Sequence, residues 1–190
     1  MAPNNFRAFA FTTLLQHKST LFAFASEHMV FIYDRETFKE TQIAAPDPSS
    51  PICALTFCGR GKQCKLLAVN SKGILFAYLL ENISQGPVLE LNIGIVPISM
   101  AAGDTICFYQ TKHCLYAIPV GNDVTPEKVL LTSTHSHDRC EISPCGRALA
   151  TFTRGGGPPV IWYSPFLQMK RSVLHLTGNL VDFQWGTAEH

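Results

Sequence analysis

The residues of this chain best suited to chemistry are His135, His137, Cys140 and Cys145, which read H-x-H-x-x-C-x-x-x-x-C. Imidazole and thiolate are ordinary zinc ligands, but a structural zinc needs four of them converging, often from paired knuckles. Here Cys140 falls in a short apolar run expected as a strand, and Cys145 in the Ser143-Pro144-Cys145-Gly146 turn after it. No metal is assigned. Asp34, Asp138 and Asp182 lie in separate parts of the chain, no serine sits in G-x-S-x-G, and no cysteine carries a nucleophile motif. Gly155-Gly156-Gly157 is followed by two prolines rather than by a helix and Gly-Lys-Ser/Thr, so it reads as a flexible loop, not a phosphate cradle. The densest basic cluster, Arg60 to Lys65, reads as a solvated hairpin loop. Neither catalysis nor a cofactor is expected.

The bulk composition narrows the class further. The 190 residues carry 15 Lys and Arg against 14 Asp and Glu, a net charge of +1, with the basic residues scattered rather than striped. That argues against a large nucleic-acid surface, though not a small one. Hydrophobic content is 46% with only 15% charged residues, which suits stacked sheets that bury strand faces against one another. No apolar run approaches the ~18–20 residues of a membrane helix. The first residues lack the basic start, apolar run and cleavage site of a signal peptide. Seven cysteines without a C-x-x-C pair then read as free thiols in a reducing compartment, and the cytoplasm is the expected location.

Around the candidate motif the chain has a definite order. A short strand ending at Ile142 enters the S-P-C-G turn, where proline presets φ and glycine relieves the left-handed corner. Arg147–Phe152 alternates as a strand, a Gly-Pro loop follows, and Val160–Tyr163 is β-branched and aromatic. The order repeats. From Ile142, Trp185 lies 43 residues on, Ile98 lies 44 back, and Leu55 and Thr12 follow at further steps of 43. The strands Phe31–Asp34, Leu75–Tyr78, Cys114–Ala117 and Ile161–Tyr163 recur in step, each followed by a fourth run: Glu40–Ile43, Val88–Leu91, Lys128–Leu131 and Ser172–Leu176. Four repeats result, at about 6–44, 52–92, 95–133 and 137–176, with an extra strand at 180–185.

This order resembles the WD-repeat β-propeller, whose repeat of about 40–45 residues folds as a four-stranded blade. Tyr33-Asp34-Arg35-Glu36-Thr37 resembles the W-D-x-x-T end of such a repeat, and the histidines fit the Gly-His that often precedes a first strand. WD repeats commonly hold an aspartate between second and third strands, where it ties the blade by hydrogen bonds. Here those turns hold Ser26-Glu27, Ser71-Lys72, Thr111-Lys112 and Arg154-Gly155, and the Trp-Asp pair is absent. A degenerate, WD-like propeller or partial propeller is therefore expected: all-β, four antiparallel blades and the first strand of a fifth. Ile142 to Trp185 is also similar to the N-terminal propeller of the DmX-like (rabconnectin) family, cytoplasmic scaffolds that help assemble the vacuolar proton pump.

The resemblance implies a non-catalytic scaffold that binds other proteins; the alternative is a nucleic-acid- or ribosome-associated propeller. The expected binding face carries the loops joining second to third strands and each fourth strand to the next first. Asp47, Lys72, Lys112, His137 and Arg154 sit on them, on segments free of packing duty. The strand Leu180–Trp185, with Phe183 and Trp185, is expected to leave a hydrophobic edge that promotes self-association.

Overall fold

A computed structural model describes residues 6–13, 20–59, 61–121, 126–133, 137–143, 146–163, 170–174, 180, 181, 183, 185 and 186. Alternating apolar segments of four to eight residues pair as antiparallel strands, joined by turns whose residues supply the needed backbone angles. Four four-stranded sheets result, each in simple chain order. The chain divides into two compact units, residues 1–97 and 98–190.

In the first unit, blade 1 is β1 (Phe6–Thr13), β2 (Thr20–Ser26), β3 (Met29–Asp34) and β4 (Lys39–Ala44). Blade 2 is β5 (Ile52–Cys58), β6 (Lys65–Asn70), β7 (Ile74–Leu79) and β8 (Leu89–Asn92). β1 and β2 both lie along β5, so the blades meet through their inner strands. The burial pattern follows. Every residue of β6 is buried, whereas β4 and β8 alternate with solvent as outer strands should. Val30, Ile32 and Ile43 of blade 1 pack with Leu55, Phe57, Leu66, Phe76 and Tyr78 of blade 2, and Ala23, Ala25 and Ala68 let the sheets approach closely. Burial of each large side chain contributes about 1.5–3 kcal/mol.

In the second unit, blade 3 is β9 (Ser99–Ala102), β10 (Ile106–Gln110), β11 (Leu115–Pro119) and β12 (Val129–Thr132). Blade 4 is β13 (Arg139–Ile142), β14 (Ala148–Phe152), β15 (Val160–Tyr163) and β16 (Lys170–Val173). Again inner strand meets inner strand, β9 against β13. Ala101, Phe108, Leu115 and Ala117 pack with Cys140, Leu149 and Trp162.

Two features depart from the sequence expectation. The β7–β8 connection winds into a 3-10 segment, Leu80–Gln85, and the β5–β6 connection holds a shorter one, Gly61–Gln63. The extra strand at 180–185 is not formed at its described residues, Leu180, Val181, Phe183 and Trp185. That segment packs onto blade 4 through side chains. Phe183 lies against Phe152 with ring centroids 5.4 Å apart, and Trp185 meets Phe183 edge-on at 5.2 Å. Trp185 Nε1 donates to the Glu141 carbonyl at 3.2 Å, and Gly155 N donates to the Leu180 carbonyl at 2.6 Å.

Candidate interaction site at the loop ends of the blades

Antiparallel order puts the connection between second and third strands at the same end of a blade as the segment leading to the next blade. In the first unit these are Glu27-His28, the segment 45–51 and the turn Ser71-Lys72-Gly73. Backbone hydrogen bonds join all three: Ala45 N to His28 O at 2.7 Å, Ile52 N to Glu27 O at 2.7 Å, and Ser71 N to Pro51 O at 2.8 Å. Three prolines exclude segment 45–51 from ladder pairing, so Asp47 organises it instead. Its Oδ1 accepts from Ser49 N at 2.9 Å, and its Oδ2 accepts from Ser50 Oγ at 2.8 Å and Lys72 Nζ at 2.7 Å. The Lys72 ammonium, then the Ser49 and Ser50 hydroxyls, hold the Asp47 carboxyl well below the usual carboxylate range. Asp47 and Lys72, each expected on this face, are thus in direct contact.

The turn that presents Lys72 is built by Asn70 and Gly73. Asn70 Oδ1 accepts from Lys72 N and Ile74 N, both at 3.0 Å, while its Nδ2 is buried without a partner among the described residues. Gly73 takes φ +75° and its carbonyl accepts from Ile93 N at 2.9 Å and Gly94 N at 3.1 Å.

In the second unit the corresponding positions hold Lys112, His137 and Arg154. Lys112 is exposed on the turn Thr111–Cys114, closed by Thr111 N to Cys114 O at 2.8 Å. Arg154 is exposed on a turn closed by Gly156 N to Thr153 O at 3.0 Å. His137 differs from both: its ring is half-buried, with Nδ1 3.1 Å from Thr151 Oγ1. Trp162 Nε1 donates to that same hydroxyl at 2.9 Å, and the His137 ring also hydrogen-bonds to the backbone of Pro158. Gln110, fully buried, donates from Nε2 to the His137 carbonyl at 3.0 Å and so ties blade 3 to the entry of blade 4. Burial pushes the His137 pKa down, partly opposed by the Pro158 hydrogen bond and by Asp138.

The turn between second and third strands carries no aspartate here, and the Pro158 carbonyl, five residues beyond Thr153, gives the histidine an acceptor. Thr151, Trp162 and Gln110 were not singled out from the sequence. Their roles depend on the pairing of Thr151 with Val160 and Leu149 with Trp162, which only the folded sheet sets.

The residues of the zinc-like motif point to different partners. His137 faces Thr151, whereas Cys140 lies 3.4 Å from Ser99 Oγ on the neighbouring blade, and burial pushes its thiol up to about 12. His135 and Cys145 lie outside the described residues. Among the described residues no three His, Cys, Asp or Glu side chains group as a metal site.

No protein-family model and no curated protein sequence matches the chain. Solved structures do match it. A chain in the crystal structure of the mitotic checkpoint complex aligns with a TM-score of 0.65 at 14% identity, covering 92% of this chain and 51% of that one. The WD40 domain of Pan2 from Neurospora crassa aligns at 0.60 and 10%, covering 93% and 55%. Hsv2 from Kluyveromyces lactis aligns at 0.58 and 11%, covering 86% and 51%. The chain has the WD40-propeller fold, in four antiparallel blades, and spans about half the length of the chains it matches. No described helix is long and apolar enough to cross a membrane.

Proposed function

We propose that this protein is a non-catalytic interaction scaffold that binds other proteins through the loop ends of its blades. The observation that carries the reading is that in each unit these loops are hydrogen-bonded into fixed positions and still present exposed cations: Lys72 in the first, Lys112 and Arg154 in the second. Rigid loops of varied chemistry lose little entropy when a partner docks. Asp47 supports the loop end of the first unit by orienting Lys72, and His137 supports that of the second by fixing the entry to blade 4. The similarity of residues 142–185 to DmX-like propellers supports a place inside a multiprotein complex. No described cysteine forms a disulfide with another described residue, and Cys58, Cys64, Cys107 and Cys140 are buried, which supports a reducing compartment such as the cytoplasm.

The test is affinity purification from the native cell with quantified co-purifying proteins. Lys72→Glu with Arg154→Glu should deplete at least one specific partner, and Lys112→Glu with Arg154→Glu should do so without disturbing Asp47. Recovery of every partner at wild-type levels with both variants sinks the reading.

A further inference from the structure

The first unit carries a concave surface at the end of its sheets opposite Asp47 and Lys72. It is a cleft of about 420 Å³ between blade 1 and the two 3-10 segments of blade 2, within the ~300–1,000 Å³ typical of ligand clefts. Its origin lies in the outer strand. Lys39, Thr41 and Ile43 alternate onto one face of β4, and burial fades along them from Ile43 in the core to exposed Lys39. The face of blade 1 is therefore uncovered toward the start of β4. The segment Leu80–Gln85 partly fills the space, with Leu80 and Ile83 packed on the core and Leu80 N donating to the Cys64 carbonyl at 3.0 Å.

Leu21 and Ile32 line the cleft from blade 1 and Leu80 and Ile83 from blade 2, with Lys39 and Lys62 contributed by the two blades in turn. Two carboxylates also line it, and both are engaged. Asp34 accepts from Glu36 N at 2.9 Å and from Thr37 Oγ1 at 2.8 Å, closing its own turn. Glu81 makes a loose, exposed ion pair with Lys62 at 3.7 Å, of a kind that contributes about 0–1 kcal/mol. Lys39 has no ionic partner among the described residues, so the uncommitted charge is cationic. Beside it Phe38 is 85% exposed at φ +55°, a backbone angle that bulky residues rarely adopt. Among the described strands β4 pairs only with β3, which leaves an edge open to an extended chain.

We infer that this cleft binds an extended peptide in which aliphatic and acidic residues alternate. Its aliphatic side chains cover Leu21, Ile32, Leu80 and Ile83, one carboxylate meets Lys39, and another replaces Glu81 at Lys62. The site is independent of the loop-end surface, since no residue is shared.

Fluorescence polarisation with the full chain tests it, using labelled Asp-Leu-Glu-Ile-Asp-Leu and the charge-reversed Lys-Leu-Lys-Ile-Lys-Leu. The acidic peptide should saturate and bind at least about tenfold tighter than the basic one. Lys39→Glu with Lys62→Glu, or the milder Lys39→Gln with Lys62→Gln, should weaken it by about tenfold or more without lowering the melting temperature. Ile83→Asp should weaken it too, while Lys72→Glu should leave it unchanged, which separates this site from the loop-end reading. Absence of saturation into the millimolar range, equal binding of the two peptides, or binding that survives the lysine substitutions overturns the inference.

Discussion

The hydroxyl of Thr151 joins two side chains of the second unit, Trp162 and His137, in a directed network. Trp162 Nε1 only donates, so Thr151 Oγ1 accepts from it. Proline has no N–H, so the His137 ring donates to the Pro158 carbonyl. A neutral ring that donates there through Nε2 leaves Nδ1 to accept the Thr151 proton. The network runs Trp162 to Thr151 to His137 to Pro158, and the Thr151 hydroxyl also lies 3.5 Å from the Val160 carbonyl, a second acceptor for its proton. Burial lowers the His137 pKa below its usual ~6.5, so its contribution to stability is complete above that pH. The contribution is lost as pH falls through the lowered folded value. Melting temperature should therefore drop on acidification below about pH 6.5. Thr151→Val strands Trp162 Nε1 and His137 Nδ1, and should cost about 1–3 kcal/mol at neutral pH. The acid dependence should persist in this variant, because burial rather than the Thr151 hydroxyl lowers the His137 pKa. A profile that flattens would show that the hydroxyl sets the pH response.

At the scale of the element, the turns carry more of the specificity than the strands. Gly73 takes φ +75°, and a Cβ there would stand 2.6 Å from Ile95 N, a backbone atom that cannot swing aside. Gly155 takes a similar φ of +70° with open space around the same position. The pair separates two costs of a side chain. Gly155→Ala should cost about 1–2 kcal/mol from left-handed strain alone. Gly73→Ala adds a clash and loosens the Gly73 carbonyl from Ile93 and Gly94, so it should cost distinctly more. Urea melts of the two variants compare them directly, and equal losses would show that the chain after β8 yields freely.

The strands themselves were legible because their information is local. A period near 43 residues, the S-P-C-G turn and alternating apolar residues mark an all-β chain of antiparallel four-stranded sheets, and that is what forms. What was not legible depends on pairs distant in sequence. The relay through Thr151 needs Ala150 opposite Ile161 and Leu149 opposite Trp162, a register the loop 153–159 does not announce. The segment 180–185 alternates like a strand, yet Phe183 finds Phe152 and Trp185 finds the Glu141 carbonyl. Alternation is necessary for a half-buried strand but does not choose between a ladder and a packed tail. The cleft beside Lys39 is hidden for the same reason, since its 3-10 wall has no period of its own.

At the scale of the whole molecule, the expected route to self-association shifts from the tail to a strand edge. Phe183 and Trp185 pack onto blade 4, so they do not offer an open edge at their described positions. Each blade ends instead in an outer strand that, among the described strands, pairs on one side only. Such edges are commonly blunted by charge. β4 begins with Lys39 and Glu40, β8 contains Glu90, and β16 begins with Lys170 and Arg171. β12 reads Val-Leu-Leu-Thr with no charge, its Leu130 is 51% exposed, and the preceding Lys128 is drawn over the Tyr116 ring at 5.3 Å. The net charge of +1 and an isoelectric point near 7.6 provide little repulsion around neutrality. Association should therefore be strongest near pH 7.6 and weaken toward about pH 6, where the net positive charge grows. Light scattering across a concentration series should show mass rising with concentration at the higher pH. Leu130→Lys should suppress the rise by charging the edge, while Val181→Lys, on the exposed tail, should leave it in place. A monomer at every concentration, or a Leu130→Lys variant that associates like the parent, would show that the β12 edge is closed to pairing.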